Sequence, residues 1–93
     1  FLISDGQSRL QRAKIESLGL NKWFADGCIA ISGDYESRYQ KPSAFMATQI
    51  AVLDTIDPAR VVYFGDRQRD AIFAKNAGFQ FALTKVMQTG VAL

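Results

Sequence analysis

The stretch that decides the fold of this chain is Val61-Val62-Tyr63-Phe64-Gly65-Asp66-Arg67-Gln68-Arg69-Asp70. Its first four residues are all β-branched or aromatic, which predicts a strand buried on both faces, as in a parallel α/β sheet. Gly65 lets the chain turn sharply as it leaves that strand. Asp66 and Asp70 then follow the carboxyl end of the strand, where open α/β sheets bind ligands. Because two carboxylates this close repel each other unless a positive charge lies between them, they predict a divalent cation, and hard oxygen ligands favour Mg²⁺.

The composition predicts one small globular domain, spanning residues 1–93. The chain has 93 residues, 48% hydrophobic and 22% charged, which is typical of a folded protein rather than a disordered one. The net charge is +2 with scattered basic residues, so we expect no nucleic acid partner. No apolar run reaches the ~20 residues that span a bilayer and no signal-peptide pattern occurs, so we expect no membrane partner.

Rare residue types limit the chemistry further. There is no histidine, which excludes histidine acid–base catalysis and histidine metal ligands within this chain. Cys28 is the only cysteine, so no internal disulfide forms, and we expect a reducing, cytoplasmic location and a buried, structural role for this thiol. Phe1 begins the chain inside what looks like a buried strand, which suggests a fragment of a longer protein.

Apolar runs and turn signals alternate along the chain. They predict strands at residues 1–3, 28–31, 61–64 and 79–83, and helices at residues 8–18, 44–53 and 69–77. We expect the first helix to be buried along Leu10, Ala13, Ile15 and Leu18, and Trp23 to close one end of the core. The order β-α-β-α-β-α-β implies parallel strands with right-handed crossovers. All strands then end at one edge of the sheet.

Three groups of polar residues meet at that edge. They are Ser4-Asp5-Gly6 after the first strand, Lys41 before Pro42, and the carboxylate pair Asp66 and Asp70. Phosphoryl groups need positive charge and hydrogen-bond donors around their oxygens. The Ser4 hydroxyl, the N–H groups of the turn and the Lys41 ammonium supply both, while the carboxylates hold the metal. Together they predict a phosphate–Mg²⁺ site.

These residues resemble the C-terminal part of the core domain of the haloacid dehalogenase-like (HAD) hydrolase superfamily. Its second motif, a strand ending in Ser or Thr, is similar to Leu2-Ile3-Ser4. Its third, a lysine often before proline, is similar to Lys41-Pro42-Ser43, and its fourth to Gly65-Asp66 with Asp70. The helix that follows and the connection over residues 18–24 are also similar, so that the resemblance covers about residues 1–83.

The resemblance implies a Rossmann-like three-layer α/β/α fold and Mg²⁺-dependent hydrolysis of a small phosphorylated metabolite through an aspartyl-phosphate. It implies that Ser4 binds phosphate, beside the backbone N–H groups of Asp5 and Gly6 that the turn directs into the same pocket, that Lys41 has a catalytic role and also contacts the phosphate, and that Asp66 and Asp70 hold Mg²⁺. Asp66 is then the more direct ligand, while Asp70 acts directly or through water.

One departure from the family pattern is decisive. The first motif, Asp-x-Asp after an N-terminal strand, has no counterpart in this sequence, and its first aspartate is the nucleophile of the family. Asp5 cannot replace it, because Asp5 directly follows the phosphate-binding serine. We therefore expect the chain to lack the central strand of the sheet, which would lie between the strands ending at Ser4 and Gly65, and to be inactive alone.

Other functions remain open on the sequence. The chain fits a non-catalytic phosphate- or metal-binding module, or a subunit whose missing strand is supplied by a partner in a homo- or hetero-oligomer. A receiver-like signalling domain is a third option, but it would need an acidic cluster after an early strand, where only Asp5 occurs. Taken singly, Asp66 and Asp70 are as well explained by a turn and a helix N-terminus.

Overall fold

The computed structural model describes residues 1–84, and it is a small α/β structure. The strands are β1 (Leu2–Ser4), β2 (Ile29–Ile31), β3 (Val62–Gly65) and β4 (Gln80–Leu83). The α-helices are α1 (Ser8–Ser17) and α2 (Gln68–Ala77). Short 3₁₀ helices fill the connections: Leu20–Lys22, Asp26–Cys28, Ser32–Asp34, Ser37–Tyr39, Ala44–Gln49, Ala51–Thr55 and Pro58–Arg60. All four predicted strands therefore form, and the predicted tail after residue 84 lies outside the described residues.

The strands pair in parallel, as the alternating pattern predicts, but they form two separate pairs. β1 pairs with β2, with Ile3 opposite Ala30, and β3 pairs with β4, with Tyr63 opposite Phe81. Within residues 1–84, β1 and β3 are not hydrogen-bonded to each other as strands. The prediction of parallel pairing is confirmed, whereas one continuous sheet is not formed by the described residues.

The predicted helix over residues 44–53 is wrong in type. The segment forms two 3₁₀ helices, Ala44–Gln49 and Ala51–Thr55, which are separated at Ile50. Ile50 has an extended backbone, with φ −103° and ψ 97°, and its side chain is fully buried. The chain thus breaks its helical path where a β-branched residue is placed in the core. The Ser43 side chain caps the segment as predicted, accepting a hydrogen bond from the Phe45 N–H at 3.2 Å.

One core joins the two strand pairs. It contains residues from β1, β2, β3, α2, the 3₁₀ helix Ala44–Gln49 and the break that follows this helix: Ile3, Ala30, Met46, Ile50, Tyr63, Phe73 and Ala74. The rings of Tyr63 and Phe73 lie edge to face with centroids 4.8 Å apart. The core therefore holds together strands that do not share backbone hydrogen bonds.

The prediction that β3 is buried on both faces is wrong for the described residues. Tyr63 is 8% exposed and faces the core, whereas Val62 and Phe64 on the opposite face are 43% and 67% exposed. Successive side chains of a strand point to opposite faces, and α2 packs on the Tyr63 face, where Phe73 contacts the tyrosine ring. The other face of β3 stays open among residues 1–84.

The buried side of α1 also differs from the prediction. Gln11 and Ile15 are buried, while Leu10 and Leu18 are exposed. Trp23, predicted to close the core, is 81% exposed, and Cys28 is only half-buried. The helix is rotated so that a glutamine, which finds a polar partner at the end of β1, takes a buried place that apolar periodicity assigned to leucine.

Among residues 1–84, no helix combines the length and the apolar composition that crossing a membrane would need.

Candidate functional site

Lys41 and Asp70 form a buried ion pair where β1 and β3 end. The Lys41 Nζ lies 2.7 Å from Asp70 Oδ1, and both side chains are 7% exposed. Lys41 precedes Pro42 through a cis peptide bond, and Asp70 lies in the first turn of α2. Charges removed from water are stable only with a close partner, and breaking such a pair costs about 3–5 kcal/mol. The structure thus brings together two predicted site residues that are 29 positions apart.

Tyr63 is a member of this cluster that sequence reasoning missed. Its hydroxyl lies 3.1 Å from the Lys41 Nζ, which donates to it, and 3.4 Å from the backbone carbonyl oxygen of Ile3, to which it donates. The sequence did contain a signal, because a phenol in an otherwise apolar strand needs a polar partner once it is buried. Tyr63 therefore links β3 both to Lys41 and to β1.

The protonation of the cluster follows from these contacts. Burial alone would lower the pKa of Lys41, but the interactions with Tyr63 and Asp70 outweigh it and raise that pKa above its ordinary value of 10.5. Burial raises the pKa of Tyr63 above its ordinary 10.0, although the Lys41 charge opposes the shift. At neutral pH the lysine is therefore a cation, and the tyrosine is a neutral phenol that keeps its O–H as a donor.

Asp5 holds the backbone of the same lysine. Its Oδ1 accepts a hydrogen bond from the Lys41 N–H at 3.2 Å. Its other oxygen, Oδ2, is buried and has no hydrogen-bond partner within the part of the chain that the structure describes. Asp5 thus anchors the start of the Lys41-Pro42 segment to the end of β1, and it keeps one acceptor free for a donor from elsewhere.

The predicted phosphate donors are engaged inside the chain. The Ser4 hydroxyl donates to Gln11 Oε1 at 2.8 Å, and the Gly6 N–H donates to Ser32 Oγ at 3.1 Å. Gly6 has a φ of +136°, a backbone conformation that favours glycine, and a Cβ there would also displace the end of the Gln11 side chain, whose Nε2 would lie 2.6 Å away. The two acceptors, Gln11 and Ser32, are buried polar residues that the sequence interpretation did not single out.

Asp70 also caps the first turn of α2. Its Oδ2 accepts a hydrogen bond from the Arg67 N–H at 3.2 Å, while its Oδ1 binds Lys41. Gly65 allows this close approach, since a Cβ at Gly65 would lie 2.5 Å from the Asp70 Cβ. Both oxygens of Asp70 are therefore occupied by partners of the chain itself.

Asp66 is the predicted metal ligand whose carboxylate has no close ion-pair partner among the described residues. Its side chain is 18% exposed, and its nearest charged partner is the Arg67 Nε, at 3.9 Å from Oδ1. Among residues 1–84, no three acidic or cysteine side chains gather into a group that could hold a metal ion. Mg²⁺ requires about six oxygen ligands, several of them commonly water. Asp66 fits the role of one ligand, but the described residues do not build a metal site by themselves.

Comparison with known proteins gives one match. The sequence model of the family described as haloacid dehalogenase-like hydrolase matches residues 1–84. No curated protein and no solved structure matches the chain. The matched range includes Lys41 and the three residues that bind it, Asp5, Tyr63 and Asp70.

Proposed function

The chain belongs to the haloacid dehalogenase-like hydrolase family, and on that premise we propose that it is the C-terminal portion of a phosphatase core. The intact enzyme would use Mg²⁺ to hydrolyse a small phosphorylated metabolite through an aspartyl-phosphate. The single observation that carries the proposal is the buried Lys41 ammonium, held at 2.7 Å by Asp70 where β1 and β3 end. A fixed cation at the carboxyl ends of parallel strands is suited to binding a phosphate dianion.

In this proposal Lys41 binds and orients the phosphate. An ammonium has three protons, and its bonds to Asp70 and Tyr63 use two of them. The third is available for a phosphate oxygen. Because the charge is fixed before substrate arrives, it costs little reorganisation during reaction.

Ser4 and Gly6 would complete the phosphate site by exchanging partners. In the structure they donate to the side-chain oxygens of Gln11 and Ser32, and phosphate oxygens would have to replace these internal acceptors. A phosphate with two negative charges is a stronger acceptor than a neutral amide or hydroxyl. We expect phosphate binding to turn the Ser4 hydroxyl and the Gly6 N–H away from these internal acceptors.

The remaining parts of the reaction involve groups beyond this cluster. Mg²⁺, when bound, would neutralise phosphate charge, with Asp66 as its ligand from this chain and Asp70 as the group that fixes Lys41. The nucleophilic carboxylate is proposed to come from outside the chain, because Asp5 holds the Lys41 backbone and Asp70 holds its ammonium. Residues 1–93 alone would then bind phosphate without turning it over.

The test is calorimetric titration of the full chain with inorganic phosphate, with and without Mg²⁺. The variant Lys41→Gln/Asp70→Asn replaces the ion pair by a neutral pair and leaves the net charge unchanged. It should bind phosphate about 10- to 100-fold more weakly, as expected for losing a charge-assisted bond. Asp66→Asn should remove only the effect of Mg²⁺.

The matched control is Lys75→Gln, which removes an exposed positive charge on α2 and should leave the affinity nearly unchanged. Equal binding by wild type and the neutral-pair variant would contradict the assignment of Lys41. So would phosphatase turnover by the isolated chain that survives Asp66→Ala.

A second function is favoured by one observation, the absence of strand pairing between β1 and β3 among residues 1–84. The chain would then be a non-catalytic phosphate- or metal-binding subunit, and a strand from a partner chain would join the two pairs. Analytical ultracentrifugation separates the possibilities for self-association. A dimer that dissociates on dilution with loss of structure supports a shared strand, and a stable monomer at all concentrations argues against a homo-oligomer.

A further inference from the structure

Tyr63 contributes more to this cluster than its ring. We propose that Tyr63 is a positioning residue whose hydroxyl, together with Asp70, fixes the direction of the Lys41 ammonium. The inference deepens the proposed function and rests on it for the identity of the third partner, a phosphate oxygen. It concerns a residue that lies inside a strand and that the sequence interpretation treated as core.

The hydrogen bonds of the Tyr63 hydroxyl define its orientation. The hydroxyl donates its one proton to the Ile3 carbonyl oxygen at 3.4 Å, so its lone pairs are left to accept from Lys41 at 3.1 Å. Ile3 lies in β1, and its carbonyl oxygen therefore fixes the phenol from outside β3. A hydroxyl oriented in this way acts as a fixed acceptor for the lysine.

Two bonds constrain the ammonium where one would not. With Asp70 alone, the Lys41 Nζ could swing about a single contact of 2.7 Å. With Tyr63 as a second acceptor, two of its three N–H bonds have defined directions, and tetrahedral geometry then sets the third. The Lys41 Nζ lies 5.6 Å from the centroid of the Tyr63 ring, which together with its 3.1 Å distance from the hydroxyl places it at the hydroxyl edge of the ring, so the contact is made through the hydroxyl.

Packing alone does not explain a tyrosine at this position. The ring of residue 63 contacts Phe73 at 4.8 Å and stacks on Phe1 at 6.1 Å between centroids, and phenylalanine would keep both contacts. The hydroxyl adds a polar group to a site that is 8% exposed, which is unfavourable unless the group is hydrogen-bonded. Its partners are Lys41 and the β1 backbone, so its specific contribution is to their relative positions.

The experiment compares wild type with Tyr63→Phe in the full chain. The first readout is ¹⁵N relaxation of the Lys41 ammonium at slightly acidic pH, where its protons exchange slowly. The second is affinity for inorganic phosphate. Tyr63→Phe should lower the order of the Lys41 Nζ while the backbone order of β3 stays unchanged, and it should weaken phosphate binding about three- to tenfold, as for one lost hydrogen bond.

Tyr35→Phe is the matched control, because it removes an exposed hydroxyl that donates to Gln49 Oε1 at 3.1 Å. It should change neither readout. An unchanged Lys41 order in Tyr63→Phe would overturn the inference, and so would a general loss of order throughout β3. If Tyr63→Phe loosens Lys41 but wild type binds no phosphate, the positioning role stands and the proposed function fails. If wild type binds phosphate and Tyr63→Phe matches it in both readouts, only the positioning role fails.

Discussion

Lys41 is the residue at which three parts of the chain meet. Its backbone N–H is bound by Asp5 after β1, and its ammonium is bound by Asp70 of α2 and by Tyr63 of β3. The side chain is 7% exposed, so its charge depends on these partners rather than on water. The same contacts that make the lysine suitable for an anion also make it part of what stabilises the fold.

The first prediction concerns the stability of this cluster against pH. The pKa values of Lys41 and Tyr63 are both raised above their ordinary 10.5 and 10.0 in the folded chain. A raised pKa means that the folded state binds the proton more tightly than the unfolded state. Their contribution is therefore complete below about pH 9.5 and is lost as pH rises through the folded pKa values.

Urea unfolding between about pH 8 and pH 11.5 measures this loss. The free energy of unfolding of wild type should fall above about pH 10. The combined variant Lys41→Gln/Asp70→Asn/Tyr63→Phe lacks all three groups, and its free energy of unfolding should fall less steeply. Identical slopes for the two proteins would show that the cluster does not titrate as described.

At the scale of elements, the junction between β3 and α2 depends on one close approach. Asp70 reaches back to the Arg67 N–H, and the absence of a side chain at Gly65 leaves room for it. The Asp70 carboxylate thereby caps the first turn of α2 and keeps Oδ1 directed at Lys41. The start of the helix and the binding of the lysine are thus one structural feature.

The second prediction tests that junction with Gly65→Ala. The new Cβ would lie 2.5 Å from the Asp70 Cβ, so one of the two elements must move. We expect a loss of about 1–3 kcal/mol in the free energy of unfolding, as for overpacking elsewhere. The matched control is Gly27→Ala, where a Cβ would meet nothing within 4 Å, and it should change stability by less than about 0.5 kcal/mol. Equal effects of the two substitutions in urea unfolding would contradict the described approach.

Sequence patterns predicted the elements well where local signals were strong. Apolar runs bounded by glycines gave all four strands, and Gly78 ends α2 in the left-handed conformation that its C-cap position requires. The prediction of one helix over residues 44–53 was wrong. The backbone at Ile50 is extended, because burial of its side chain outweighs local helix propensity. The predicted buried side of α1 was also wrong. A hydrogen bond from Ser4 favours burial of Gln11, and apolar periodicity cannot indicate a buried glutamine.

At the scale of the whole molecule, residues 1–84 form two parallel strand pairs on a shared core. Tyr63 and Ile3 connect the pairs through a side chain instead of a backbone ladder. The open face of β3, with Phe64 67% exposed, contrasts with the strand buried on both faces that its sequence predicts. Matching of the family model over residues 1–84 nevertheless agrees with the resemblance seen in the motifs.

The sequence could predict that some of the proposed site residues lie close together, but not which of their atoms contact one another. Parallel topology indicated that Ser4, Lys41, Asp66 and Asp70 would lie near one another, and the structure joins Lys41 to Asp70. The hydrogen-bond partner of each polar atom depends on how closely segments remote in sequence approach one another, and sequence patterns do not report such distances. Tyr63, Gln11 and Ser32 were therefore missed, although each is a buried polar group that needs a hydrogen bond.

The most direct measurement of the central claim, that Lys41 and its neighbours form a phosphate site, is a ¹H–¹⁵N NMR titration of the chain with inorganic phosphate and Mg²⁺. We predict that the amide signals of Gly6, Lys41 and Asp66 shift together and report one affinity, since the proposed function assigns all three residues to one phosphate–Mg²⁺ site. The Gly6 signal should show the largest change, because its N–H leaves Ser32 Oγ for a phosphate oxygen. Shifts confined to exposed arginines such as Arg38, or no saturable shift at these three amides, would contradict the claim.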